Sequence, residues 1–180
     1  MTPRIAQLQL LASYNRWMNE KVYAAASQLS REELARNRGA FFGSILGTLN
    51  HGVVGDTLWL QRFARHPRGW LELAPVLQLP TPASLDATVF EDLPELRHRR
   101  AELDAWIVDW VPAVGEADLD GPLHYTLFKG QTQSRKFDGL LTHFFNHQTH
   151  HRGQVTTLLT QAGLDVGATD LLLLLPEQAD

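Results

Sequence analysis

Four stretches of the chain carry apolar residues at three- and four-residue spacing, the mark of helices that bury one face. In the first, Ile5, Leu8, Leu11, Ala12, Trp17, Val22 and Ala26 follow Thr2-Pro3. Proline's missing N–H costs nothing at a helix start, and the helix is predicted to end near Leu29. Ser30-Arg31-Glu32-Glu33 has the form of a capping box for a short second turn, and Asn37 to Gly43 reads as loop. Ser44 is the predicted N-cap of a helix running to about Arg65, with Ile45, Leu49, Val53, Trp59 and Phe63 as its stripe. His66-Pro67-Arg68-Gly69 stops it. Asp92 caps a third long helix with Pro94 in its first turn and Leu96, Leu103, Trp106, Ile107 and Trp110 on its apolar side; Pro112 marks its close after Val111. The last helix is predicted from Phe137 to Ala162, ended by Gly163.

The connections differ in character. Gly69 to Pro82 holds three prolines and no clean period, which predicts an irregular segment over one end of a bundle. Leu123–Phe128 and Gln131–Phe137 alternate weakly around Lys129-Gly130, which predicts a short β-hairpin. Together these patterns predict an all-α fold, a four-helix bundle with a hairpin before its last helix. One domain is expected over residues 1–180, with its core at about 3–163. The tail, 164–180, is apolar at Leu171 to Leu175 and is expected to dock on the bundle or on a second subunit.

Composition narrows the function classes. With 44% hydrophobic and 20% charged residues in 180, the chain has the make-up of one self-folding globular domain. The formal net charge is −4, and the only dense basic run, Arg97-His98-Arg99-Arg100, lies in an amphipathic stretch and reads as a solvated helix face, so nucleic acid is not an expected partner. Cysteine is absent, which excludes disulfides, thiolate ligands and a cysteine nucleophile. Neither a secretory leader nor a membrane-length apolar run is found, so no membrane partner is expected and the cytoplasm is the expected compartment.

Half of the eight histidines fall within nine residues of the last helix: His143, His147, His150 and His151. His147 and His151 lie about 40° apart and about 6 Å along the axis. They share the side of the wheel that carries Leu140, Phe144, Val155, Leu158 and Ala162, and therefore point inward. Buried imidazoles need partners for both ring nitrogens, and a divalent cation serves two at once. His143 and His150 stand one turn and three residues from His147 at the edge of the stripe, as does Gln154, so geometry leaves the ligand pair open. A catalytic site of zinc type uses three protein ligands and one open position. His51 is the best third candidate, flanked by Thr48 and by the small residues Gly52 and Gly55, although the stripe of its own helix passes it by.

The strings Leu49-Asn50-His51 with Asp56 and Trp59, Tyr14-Asn15-Arg16-Trp17-Met18-Asn19, and Asn146-His147-Gln148-Thr149-His150-His151-Arg152-Gly153-Gln154 resemble the DinB-like family of bacterial metal-binding bundles, over residues of about 5 to 162. The resemblance implies that His51, His147 and His151 hold one divalent ion, commonly nickel or zinc, and that the protein is a homodimer. It also implies a stress association, since the family takes its name from genes induced by DNA damage.

Neutral imidazole ligands leave the ion its full charge, which lowers the pKa of a bound water or thiol. Relatives of this fold include transferases and isomerases that use a low-molecular-weight thiol, so a metal-dependent enzyme acting on a small molecule with an external thiol is the first expectation. A hydrolase needs a base near the metal, for which Asp56 is the only acidic candidate nearby, and Asp56 reads more simply as a hydrogen-bond partner orienting Arg152 or a histidine that supports the ligands. Asn146, His143, His150 and Gln154 are candidates to support the ligands. A non-catalytic, metal-stabilised bundle that binds a small ligand or a partner is the alternative. Carboxylate-bridged di-iron chemistry is set aside, because only Glu95 and His98 match its ligand pattern, and the chain has no His-Glu-x-x-His string.

Overall fold

A computed structural model describes residues 2–177. Four long helices form the body: α1 (Pro3–Ala26), α3 (Ile45–Phe63), α4 (Leu93–Trp110) and α6 (Phe137–Gln161). Two short helices, α2 (Arg31–Ala35) and α5 (Glu116–Asp120), sit in the connections. α1 and α3 each pack against both α4 and α6, which makes the all-α bundle. Among the described residues no helix is long and apolar enough to cross a membrane.

The predicted caps act as polarity requires. Ser30 Oγ accepts from the Glu33 amide, Ser44 Oγ from the Gly47 amide at 2.9 Å and Asp92 Oδ1 from the Glu95 amide at 2.9 Å, each satisfying an N–H that the first turn leaves free. Only half of the capping box at Ser30 forms, because the Glu33 carboxylate is taken by Arg36 and Arg38. α1 closes at Ala26 rather than near Leu29, and α3 closes at Phe63 rather than Arg65. The last helix ends as expected, with Gly163 at φ +84°, where a side chain would be strained.

The hairpin pairs β1 (Pro122–Thr126) antiparallel to β2 (Thr132–Lys136), with His124 opposite Ser134. Gly130 turns it at φ +81°. The segment read as irregular contains a 3-10 helix, Leu71–Gln78, whose Leu73 and Val76 are buried against α3 and α4. Two side-chain amides on α3 fix this long connection. Gln61 donates to the carbonyls of Val76 and Leu79, and Asn50 accepts from the amides of Val89 and Phe90 while donating to the Phe90 carbonyl. α3 is therefore covered on several sides, and most of its residues are buried. Beyond α6 the tail runs along α1, held by Tyr14 on the Thr169 carbonyl at 2.7 Å and by Lys21 on the Ala168 carbonyl. Leu172, Leu173 and Leu175 remain exposed.

Aromatic packing fills the end of the bundle where α3 closes and α6 begins, with His66 stacked on Trp70 at its edge. Phe63 meets Trp110, Phe137 and Phe144 at ring-centroid separations of 5.4, 5.5 and 5.5 Å. Face-stacked and edge-on pairs of this kind add to the area they bury.

Candidate metal centre

The helix period that places His147 and His151 one turn apart on α6 aims both rings at α3, where His51 meets them. The three Nε2 atoms lie 3.2 Å (His51 to His147), 3.1 Å (His51 to His151) and 3.1 Å (His147 to His151) apart. His51 is buried although the stripe of α3 omits it, because the pinned segment around Leu85 covers that side of the helix.

Proton bookkeeping decides what such a cluster can be. His51 Nδ1 lies 2.7 Å from the Leu85 carbonyl, and His151 Nδ1 lies 2.8 Å from Gln154 Oε1. Facing an acceptor, each Nδ1 must carry the hydrogen, so each neutral ring presents a bare lone pair at Nε2. Those two lone pairs stand 3.1 Å apart, and the single N–H that His147 could offer satisfies only one of them. Protonation does not relieve the conflict. Burial, the neighbouring imidazoles of His151 and His51, and other nearby histidines push His147 down to about 3. Burial also lowers His51, against its bond to Leu85, and His151, against its bond to Gln154. A cation accepts all three lone pairs together. Nitrogens held at roughly 2.0–2.1 Å from one ion, at bond angles between about 90° and 110°, sit about 2.9–3.4 Å apart, and the observed triangle falls within that range.

A sequence model of the DinB family matches residues 5–179. The chain belongs to the DinB family. Protein DinB of Bacillus subtilis (strain 168) is 28% identical over 161 residues, which cover 89% of this chain and 88% of that protein. No solved structure matches the chain.

The surroundings of the triad in this DinB family member divide into supports and bystanders. Gln154, at the edge of the α6 stripe, orients His151. Asn146 and His150 are exposed; His150 reaches only the edge of the His151 ring, at 4.8 Å between centroids. His143 turns toward Trp59, 5.2 Å away, and burial together with the charge of Arg62 lowers its pKa. Asp56 bonds neither Arg152 nor a histidine. Five residues past His51, it points about 140° away, and its Oδ2 is held by Arg100 and, at 2.7 Å, by Gln148.

That contact exposes a second correction. Arg100 closes the basic run read as a solvated face, yet it is only 5% exposed. It sits between Asp56 on α3 and Asp104 one turn on, 3.0 Å away, while Asn15 and Asn19 of α1 donate to Asp104. Burial disfavours the Arg100 cation, but Asp104 and Asp56 more than offset this and raise its pKa. Arg152 is buried too, pushed down to about 10 by burial, and donates to Asn15 and Thr149. The motif arginine thus serves the joint between α6 and α1.

Two supports, Asn50 and Phe42, were given no role from the sequence, and a third, Gly55, acts as the small neighbour it was read to be. Asn50, beside His51, pins the segment that presents the Leu85 carbonyl. Phe42 stacks on His51 at 3.8 Å between centroids and meets His151 edge-on at 5.6 Å, closing one side of the triad. Gly55 allows the approach of His147, since a Cβ there would stand 2.9 Å from His147 Cε1. Adjacent aromatics in a loop flanked by Gly39 and Gly43 are a signal that could have flagged Phe42. On the other side His51 and His147 border a cleft of about 430 Å³ formed by α3, Leu85 and the hairpin turn.

Proposed function

We propose that this DinB family member holds one divalent ion, nickel or zinc, at His51, His147 and His151, and uses it to act on a small molecule in the adjoining cleft. The observation that carries this reading is the pair of opposed Nε2 lone pairs 3.1 Å apart beside a cleft of small-molecule size. Among the described residues the group of side chains able to share the ion stops at three, all histidine, which leaves a coordination position for an exchangeable ligand. When bound, the ion supplies a lowered pKa for a water or thiol.

The chain's own residues favour the thiol. A hydrolytic site needs a base beside the attacking water, and Asp56, although it borders a narrow cavity together with His147 and His151, is committed to Arg100 and Gln148. His51 and His151 are fixed as neutral donors of lone pairs by Leu85 and Gln154, Phe42 excludes water from one flank, and the cleft gives access from the other. Attack of an external thiol on an electrophile would ask for no further protein base, because an ion held there would lower the thiol's pKa and let its proton pass to solvent or to the displaced group, and a chain without cysteine must take that thiol from outside. A homodimer in the cytoplasm and a role in stress belong to the same proposal, on the strength of the family resemblance.

Metal analysis of protein purified without an affinity tag tests the reading. The wild type and His66→Ala are expected to hold one ion per chain, and His147→Ala and His151→Ala none. Equal metal content in all four would overturn the assignment. A thermal-shift screen of the loaded protein with small thiols then separates the enzyme from a metal-stabilised binding bundle, because only an accessible position on the ion gives a thiol-dependent shift that His147→Ala abolishes.

A further inference from the structure

The cleft beside the triad is lined by two permanent cations, Arg62 and Lys129, and by no carboxylate, in a chain whose net charge is −4. His51, Gly55, Trp59 and Arg62 follow one another at four- and three-residue spacing, so one face of α3 runs along this wall for roughly 16 Å. Phe128 and Lys129 of the hairpin turn stand across from it.

Arg62 is the unusual member. It is half-buried, and burial pulls its pKa below the usual guanidinium value. It lies over the rings of Trp59 at 4.6 Å and Tyr125 at 5.1 Å. Among the described residues its side chain has neither a hydrogen-bond acceptor nor an ion-pair partner, whereas the likewise part-buried Arg4, Arg38 and Arg99 all have one. A guanidinium partly drawn out of water and flanked by two aromatic rings keeps N–H donors free for a planar anion.

We propose that this cleft binds an elongated small molecule whose carboxylate is held by Arg62 and Lys129, whose apolar body lies between Trp59 and Phe128, and whose other end reaches His51 and His147. Only the identity of the reacting end rests on the proposed metal centre. The anion subsite stands on Arg62 and its empty donors. The aromatic walls select an apolar body and the paired cations select its charge, which together define the substrate class as aryl or alkyl carboxylates. In a cleft of low-dielectric walls the two cations also concentrate anions against the repulsion of the whole molecule.

Titration calorimetry with 3-phenylpropionate, and with 3-phenylpropionamide as its uncharged counterpart, tests the subsite on the zinc-loaded chain. The acid is expected to bind saturably. Arg62→Gln should weaken it by about tenfold or more, and Lys129→Gln by a smaller factor, with zinc content and melting temperature unchanged. The amide should bind the wild type about as weakly as the acid binds Arg62→Gln. In His147→Ala, stripped of zinc, the dependence on Arg62 should persist. Acid and amide binding alike, an Arg62→Gln affinity within about twofold of wild type, or no saturable binding to the wild type would each overturn the proposal. So would a carboxylate that needs zinc and ignores Arg62, since that anion sits on the metal. A His147→Ala protein that keeps its zinc instead overturns the metal-centre reading and leaves the Arg62 result standing.

Discussion

At the scale of single residues, the centre depends on what fixes the outer nitrogens of its histidines as well as on the histidines themselves. Leu85 and Gln154 set the tautomers of His51 and His151, and without them each ring could rotate or place its proton at Nε2. Such outer partners typically change metal affinity by about 10- to 100-fold when removed. Gln154→Ala is therefore expected to keep one site per chain but to weaken it by about tenfold or more, as read by competition with a chelating dye. An unchanged affinity would mean that the Gln154 contact does not hold the ring. His51 shows why periodicity alone left this residue ambiguous. A stripe reports the face of a helix that meets the main core, while His51 is buried from the opposite side, by a segment that Asn50 ties down 35 to 40 residues away in sequence.

At the scale of elements, what was legible is what local chemistry dictates. The caps at Ser30, Ser44 and Asp92, the turn at Gly130 and the stop at Gly163 each answer a requirement of the adjacent backbone, so the four long helices and the hairpin could be placed from the sequence. The 3-10 helix at Leu71–Gln78 and the burial of Arg100 could not, because both are set by partners distant in sequence. Arg100 joins α4 to α3 through Asp56 and also pairs with Asp104 on its own helix, to which α1 is bound through Asn15 and Asn19. Taking away one member of such a buried set leaves unpaired charge in the core. Arg100→Ala should thus cost about 3–5 kcal/mol of stability by urea unfolding, and a loss under about 1 kcal/mol, typical of a solvated arginine, would show that the ionic layer is hydrated. A surface joint behaves differently. Arg4 of α1 and Lys136 at the end of β2 bond Asp120 at the end of α5 and hold its carboxyl down to about 2. A carboxyl depressed in the folded state stabilises above its unfolded pKa and loses that contribution as pH falls through the folded value. A carbon-13 titration of Asp120 should give a midpoint near 2 that rises in Arg4→Ala; a midpoint at the ordinary aspartate value would show that the joint does not persist in solution.

At the scale of the whole molecule, the candidate centre is a cross-link. His51 lies in the first half of α3 and the other two ligands flank the middle of α6, so an ion shared by them joins helices about 100 positions apart in sequence. The aromatic cluster around Phe63 secures the opposite end of the same pair. Beside the triad lies the buried layer of Asp56, Arg100 and Gln148, which holds α3, α4 and α6 at a fixed spacing even without an ion. A preformed site of this sort binds the metal without folding around it, so the bundle should persist when stripped and gain stability on loading by simple mass action. At free metal near 100 times its dissociation constant the gain is about 2.7 kcal/mol, or roughly 5–11 °C in melting temperature for a chain of this length. His151→Ala should melt close to the stripped wild type and respond little to added metal. A stripped wild type that has lost its helical signal would instead show that the ion is part of the fold, and would turn the proposed catalytic centre into a structural one.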